Sequence, residues 1–213
     1  MFFPLSLFLS AAVASSSLQV PYVSQVPDGA WVAPWDEACE EASIVMIDGY
    51  YHRTGRPTDG GRAQMQSMID WENETFKVYK DTDANQTVQL IRHEDAFGAV
   101  RKQDPSLVSI KRELKAKRPV IALVNMYALY GEQSLGDSYH VLVITGYDDD
   151  TKEFIVNDPA RERKTYAYDT VMDALHDYNP NTKEADGTPT VIFTYKKGLA
   201  SSFFTFVQNL FRR

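Results

Sequence analysis

Apolar residues change their spacing near the middle of this chain. Over residues 37–52, Ala38, Ala42, Val45, Met46, Gly49 and Tyr50 recur three or four apart. That period belongs to an α-helix with one buried face. Asp36 is placed to cap it, and the turn residues of "HRTGRPTDGG" end it. Met65, Met68 and Ile69 carry the same period through "GRAQMQSMIDWE". Two more helices are predicted, in "NQTVQLIRHE" and in "SLVSIKRELKAK", the second opened by Asp104 and Pro105. Beyond them the pattern shortens to β-branched runs at 119–125, 140–147, 153–157, 164–168 and 190–195. The turn at 148–152 joins the second and third runs into a hairpin, and "TVMDALHD" reads as a helix interrupting the strands. Upstream, "LQVPYVSQVPDG" reads as a short strand with Gln25 at its end. The expectation is an α+β domain, with N-terminal helices packed on a C-terminal antiparallel sheet.

The two ends depart from this pattern. Residues 1–16, "MFFPLSLFLSAAVASS", are apolar or small, and Ala12-Val13-Ala14 has the small-x-small form of a cleavage site. They read as a secretory signal peptide, too short for the roughly 18–20 residues of a membrane span. This places the protein outside the cytoplasm, secreted or at the cell surface. In 198–213, Phe203, Phe206, Val207 and Leu210 fall on one helical face, with Lys196, Lys197, Arg212 and Arg213 flanking. Two readings stay open: a helix docked on the domain, or an interfacial helix in peripheral contact with a membrane. Residues 17–197 form one domain of ordinary globular size. The net charge of −7 comes with no basic face, which excludes nucleic acid as a partner. No histidine pair has zinc-ligand spacing, and Asp148-Asp149-Asp150 lacks the EF-hand pattern, so no metal or other cofactor is expected.

Cys39 is the only cysteine. An exported chain keeps most cysteines in disulfides, so a single thiol is packed and inert, paired between molecules, lipidated or reactive, and Cys39 lies too far past the signal segment for lipidation. Cys39 lies in the first turn of the first helix, where free N–H groups and the helix dipole favour a thiolate. Glu37, Glu40 and Glu41 oppose that charge, so a cationic partner is required. Among His52, His93, His140 and His176, only His140 opens a strand, in "SYHVLVITGYDDD". In the hairpin, the start of that strand lies beside the end of "EFIVNDP", which puts Asp158 or Asn157 within reach of His140. A carboxylate there would hold the imidazole tautomer and stabilise the imidazolium. Gln25 and the Cys39 backbone N–H would form a two-donor oxyanion hole. Trp31 and Trp35 could floor a cleft or pack beneath the loop.

With Gln25, Cys39, His140 and Asp158 in this order, the chain resembles the papain-like cysteine peptidases, and more closely the C39-like peptidase group. The matching segments are "VPYVSQ", "CEEASIVMIDGYY", "RPVIALVN", "YHVLVITGYDDDTKEFIVNDP" and "TVIFTY", which together span residues 20–195. The resemblance implies a papain-like fold and a peptide or protein substrate. It makes Cys39 the nucleophile, His140 the general base, Asp158 the group that orients His140, and Gln25 the oxyanion donor. Many members carry Cys-Gly-Pro at the nucleophile, where this chain has Cys39-Glu40-Glu41. Two alternatives remain beside the peptidase: an amidase or endopeptidase acting on cell-wall peptide, and an inactive papain-like binding module.

Overall fold

The computed structural model describes residues 15–55 and 57–198. In chain order the elements are β1 (Ser16–Ser17), α1 (Cys39–His52), α2 (Arg62–Thr75), α3 (Ala84–His93), β2 (Gly98–Gln103), α4 (Leu107–Lys115) and β3 (Val120–Asn125). Then come α5 (Met126–Tyr130), β4 (Tyr139–Asp148), β5 (Glu153–Asp158), β6 (Glu162–Ala167), α6 (Tyr168–Ala174) and β7 (Thr190–Tyr195). Six strands form an antiparallel sheet in the order β2-β7-β3-β4-β5-β6, and β1 pairs with β4 beside that path. The expected division into helices followed by a sheet is therefore present.

α1 and α4 pack on β4, and α6 packs on β3 and β5. Every residue of β3 is buried, and so are the first nine of β4. α1 is more enclosed than a one-faced helix, because α2 covers what the sheet leaves open. Each residue from Cys39 to Ile47 is buried, including Glu40 and Glu41. α3 shows how local sequence fixes an end: Asp83 accepts from the Asn85 and Gln86 N–H groups while Gln86 reaches back to the Asp83 N–H, a reciprocal capping box.

Four elements differ from the sequence expectation. The first helix starts at Cys39, because Trp35–Glu37 forms a separate 3-10 turn closed by Glu37 N–H to Pro34 O and Ala38 N–H to Trp35 O. Asp36 lies inside that turn and does not cap α1; Ala38 holds the cap position without a side-chain hydrogen bond. The segment around Val20–Gln25 is not a strand. Pro21 has no N–H to give a ladder, and the segment is tied instead at single points, Leu18 N–H to Thr145 O and Gln25 N–H to Pro159 O. β2 escaped notice because it is an edge strand, with only Gly98 and Ala99 buried among its six residues. α5, which the sequence pattern does not predict, is started by the Asn125 side chain accepting from Ala128 N–H.

Gly146 permits one close approach. A Cβ there would lie 2.3 Å from the Ser16 carbonyl oxygen, at the point where the β4–β5 register shifts. Only glycine lets β1 cross β4 at this distance. Ser16, the last residue of the proposed signal segment 1–16, and Ser17 thus belong to the sheet, whereas residues 1–14 of that segment lie outside the described residues. Of the C-terminal amphipathic segment 198–213, residues 199–213 also lie outside them. Among the described residues no helix is long and apolar enough to cross a membrane.

Candidate active site

The N-terminus of α1 and the start of β4 meet at one cleft of about 450 Å³. Cys39, His140 and Gln25 all line it. Cys39 stands at the first helical position, so its N–H has no carbonyl partner within the helix. Its thiol does not pair with His140: it donates to Glu40 Oε2 at 2.9 Å. Burial pushes the Cys39 thiol well above its ordinary range, and the Glu40 charge adds to the effect.

His140 faces a different environment. Pairing of Val143 with Asn157 continues the hairpin so that Asp158 comes beside the His140 end of β4. His140 Nε2 lies 2.9 Å from Asp158 Oδ1. Asn157, the other candidate, turns away and donates from Nδ2 to Val20 O. With Nε2 committed to Asp158, Nδ1 is the ring nitrogen left for a partner in the cleft. Asp158 is fully buried and holds several donors at once. Tyr130 Oη donates to Oδ2 at 2.7 Å, Tyr166 Oη donates to Oδ2 at 3.4 Å, and the Ala160 N–H donates to Oδ1 at 3.0 Å. Burial pushes the Asp158 carboxyl up, but the His140 charge and these hydrogen bonds outweigh it and hold the group below its ordinary value.

Gln25 sits between these two sides. Its Nε2 donates to Trp35 O at 3.3 Å and to Asp36 O at 3.0 Å, so both amide protons are engaged with the turn that leads into Cys39. Trp31 lines the cleft and is exposed, whereas Trp35 is buried in the core beneath the Arg62 guanidinium. The remaining histidines stand apart from the cleft: His52 pairs with Asp48, His93 stacks on Trp71, and His176 follows α6.

A model of the Peptidase_C39-like family matches residues 17–186. The chain belongs to that family, within the papain-like cysteine peptidases. A C39-like peptidase from Bacillus anthracis superposes with a TM-score of 0.57 at 16% identity, covering 87% of this chain and 99% of that one. A double glycine motif protease of an AMS/PCAT transporter, solved with its leader peptide, gives 0.50 at 15% identity, covering 87% and 97%. No curated protein sequence matches.

Sequence reasoning missed two groups in this C39-like domain. Tyr130 and Tyr166 hold Asp158 from α5 and β6, and Arg161 stacks on the Tyr130 ring while pairing with Glu132. Nothing in the local pattern around Tyr130 or Tyr166 points to a site. The second group is a set of buried carboxyls behind Cys39: Glu40, Glu41 and Glu72. These had a visible signal. Glu72 continues the Met65, Met68, Ile69 stripe of α2, and Glu41 lies between Ala38 and Val45 on α1. Burial and Glu41 push Glu40 up to about 8. Burial likewise raises Glu72 to about 8, and burial with Glu72 raises Glu41 well above its ordinary value. At about 8, Glu40 and Glu72 keep their protons at neutral pH. As expected, the charges of Glu40 and Glu41 oppose a Cys39 thiolate in the range where these carboxyls ionise.

Proposed function

We propose that this domain is a cysteine peptidase in which Cys39 attacks a peptide carbonyl. The observation that carries the reading is the placement of Cys39 and His140 on one cleft, with His140 Nε2 held by a fully buried Asp158. His140 Nδ1 takes the thiol proton, and Asp158 fixes the tautomer and stabilises the imidazolium. The thiolate then adds to the carbonyl carbon. Negative charge moves to the carbonyl oxygen, where the unpartnered Cys39 N–H and an Nε2 proton of Gln25 would receive it. Gln25 would give up one of its backbone carbonyls to do so. His140 returns its proton to the leaving amine, and water hydrolyses the thioester. The substrate is a peptide or protein, and the apolar segment 1–16 favours a site of action outside the cytoplasm.

A second reading, an inactive papain-like binding module, is favoured by the resting bond of the thiol to Glu40 and by its raised pKa. The pH dependence of Cys39 alkylation by iodoacetamide, with and without His140→Ala, separates the two. Fast alkylation well below the ordinary thiol value of about 8.5, lost in His140→Ala, is the result the peptidase reading requires. A Cys39 that reacts like a free thiol in both proteins would leave the binding module.

A further inference from the structure

Behind Cys39, the Glu40 carboxyl is held in one orientation. Oε1 accepts two hydrogen bonds from Thr82, from the N–H at 2.9 Å and from Oγ1 at 3.2 Å. Thr82 is itself fixed, since its carbonyl accepts from Tyr139 Oη at 2.9 Å. With Oε1 occupied by donors, an acid proton belongs on Oε2, the oxygen 2.9 Å from Cys39 Sγ. The groups facing Glu40 are Cys39 and Glu41 from α1, Asp81 and Thr82 from the segment before α3, Tyr139 from β4, and more distantly Glu72 from α2. Among the described residues no Lys or Arg hydrogen-bonds or forms an ion pair with it.

We propose that Glu40, as the neutral acid, donates a hydrogen bond from Oε2 to the Cys39 thiolate and so serves as a catalytic group. The inference rests on Cys39 being the nucleophile. In the resting protein the thiol is the donor in this pair. When the thiol proton passes to His140 Nδ1, the S–H···Oε2 hydrogen bond is lost. The Oε2–H turns to the new anion, so the same contact stabilises whichever partner is charged. It weakens when Sγ becomes a neutral thioester and returns when the thiolate departs. A donor to a buried anion is worth far more than one to a neutral group, and the cation on His140 is then not the sole support of the thiolate. The ordinary value of a Glu would forbid this role at neutral pH; burial supplies the proton.

The test is the rate of Cys39 alkylation by iodoacetamide between about pH 5 and 9, in wild type, Glu40→Gln, Glu40→Ala and His140→Ala. In Glu40→Gln the amide oxygen takes the Thr82 donors and the NH₂ faces Sγ. It should keep low-pH reactivity within about threefold of wild type, while Glu40→Ala loses it by about tenfold or more. A Glu40→Ala protein as reactive as wild type, or more so, overturns the assignment, because the carboxyl would then be neutral in effect or a repelling charge. If wild type reacts fast at low pH in a His140-dependent manner and only the Glu40 result fails, the peptidase reading survives. If wild type reacts like an ordinary thiol and ignores His140→Ala, both fall. Should Glu40→Ala not fold, the infrared difference spectrum of wild type on alkylation decides. The carbonyl band of a protonated carboxyl should shift as its acceptor is lost, and a spectrum with no such response overturns the proposal.

Discussion

Two buried carboxyl environments stand on either side of the cleft, and they have opposite ionisation. Asp158, on the sheet side, receives hydrogen bonds from Tyr130, Tyr166, the Ala160 N–H and His140, and is held below its ordinary value. Glu41 and Glu72, on the helix side, are buried just as fully, but no N–H or hydroxyl donates to them and each carboxyl has only the other as a partner. Burial raises both, with the Glu72 charge adding to it at Glu41 and the Glu40 charge at Glu72. The difference shows that burial alone does not set the charge of a carboxyl. Donors do: an anion with four donors stays ionised in the interior, and one with none takes up a proton. Glu40 is intermediate, with both Thr82 donors on one oxygen and the nucleophile on the other.

The largest expected effect comes from removing the satisfied carboxyl. Asp158→Ala leaves the two tyrosine hydroxyls and the Ala160 N–H without an acceptor and His140 without its counter-charge. Urea unfolding should show a loss of about 3–5 kcal/mol. If the variant folds, peptidase activity should fall by about 10³-fold. A loss below about 1 kcal/mol would show that water replaces the carboxylate, and the contrast between the two sides would be weaker than the geometry implies.

Next in size is the response of stability to pH, which has opposite sign on the two sides. For Glu40 and Glu72, the folded protein keeps protons that the unfolded chain releases near 4.5, so stability is full below that value and falls as pH rises to about 8. Each group contributes a slope of up to about 1.4 kcal/mol per pH unit in that window. Asp158 works the other way. Its contribution is present above its ordinary 3.8 and is lost as pH falls through the lowered folded value. Thermal melts from acid to alkaline pH should therefore show a decline on the alkaline side that Glu72→Gln flattens, with a gain of about 1–3 kcal/mol at high pH. No change in slope for Glu72→Gln would mean that the helix-side carboxyls are solvated.

Single donors to Asp158 give the smallest effects. Tyr130→Phe removes the 2.7 Å hydrogen bond and should cost about 1 kcal/mol, with a shift of Asp158 toward its ordinary value readable by NMR titration. Tyr166→Phe removes a contact of 3.4 Å and should cost about 0.5 kcal/mol or less. Equal effects for the two would show that their hydroxyls share the load in solution.

The sequence by itself determined the division into helices and sheet, the first four helices and most strands, because period 3.6 and period 2 are local properties of the chain. It also brought His140 and Asp158 together, since a hairpin with a short turn fixes which residues are neighbours. Hairpin geometry did not choose between Asn157 and Asp158, because adjacent strand residues face opposite sides and a one-residue slip in register exchanges them. The tertiary structure did, by turning Asn157 to Val20 O. Tertiary structure also decided the environment of each charge. Whether Glu40 and Glu41 are surface anions or buried acids depends on α2 lying over α1 and on the segment before α3 reaching Glu40. The donors around Asp158 come from α5, β6 and the turn between β5 and β6. A pKa is set by what surrounds a group in space. Residues forty places apart in the chain, as Glu40 and Thr82 nearly are, carry no local mark of that meeting.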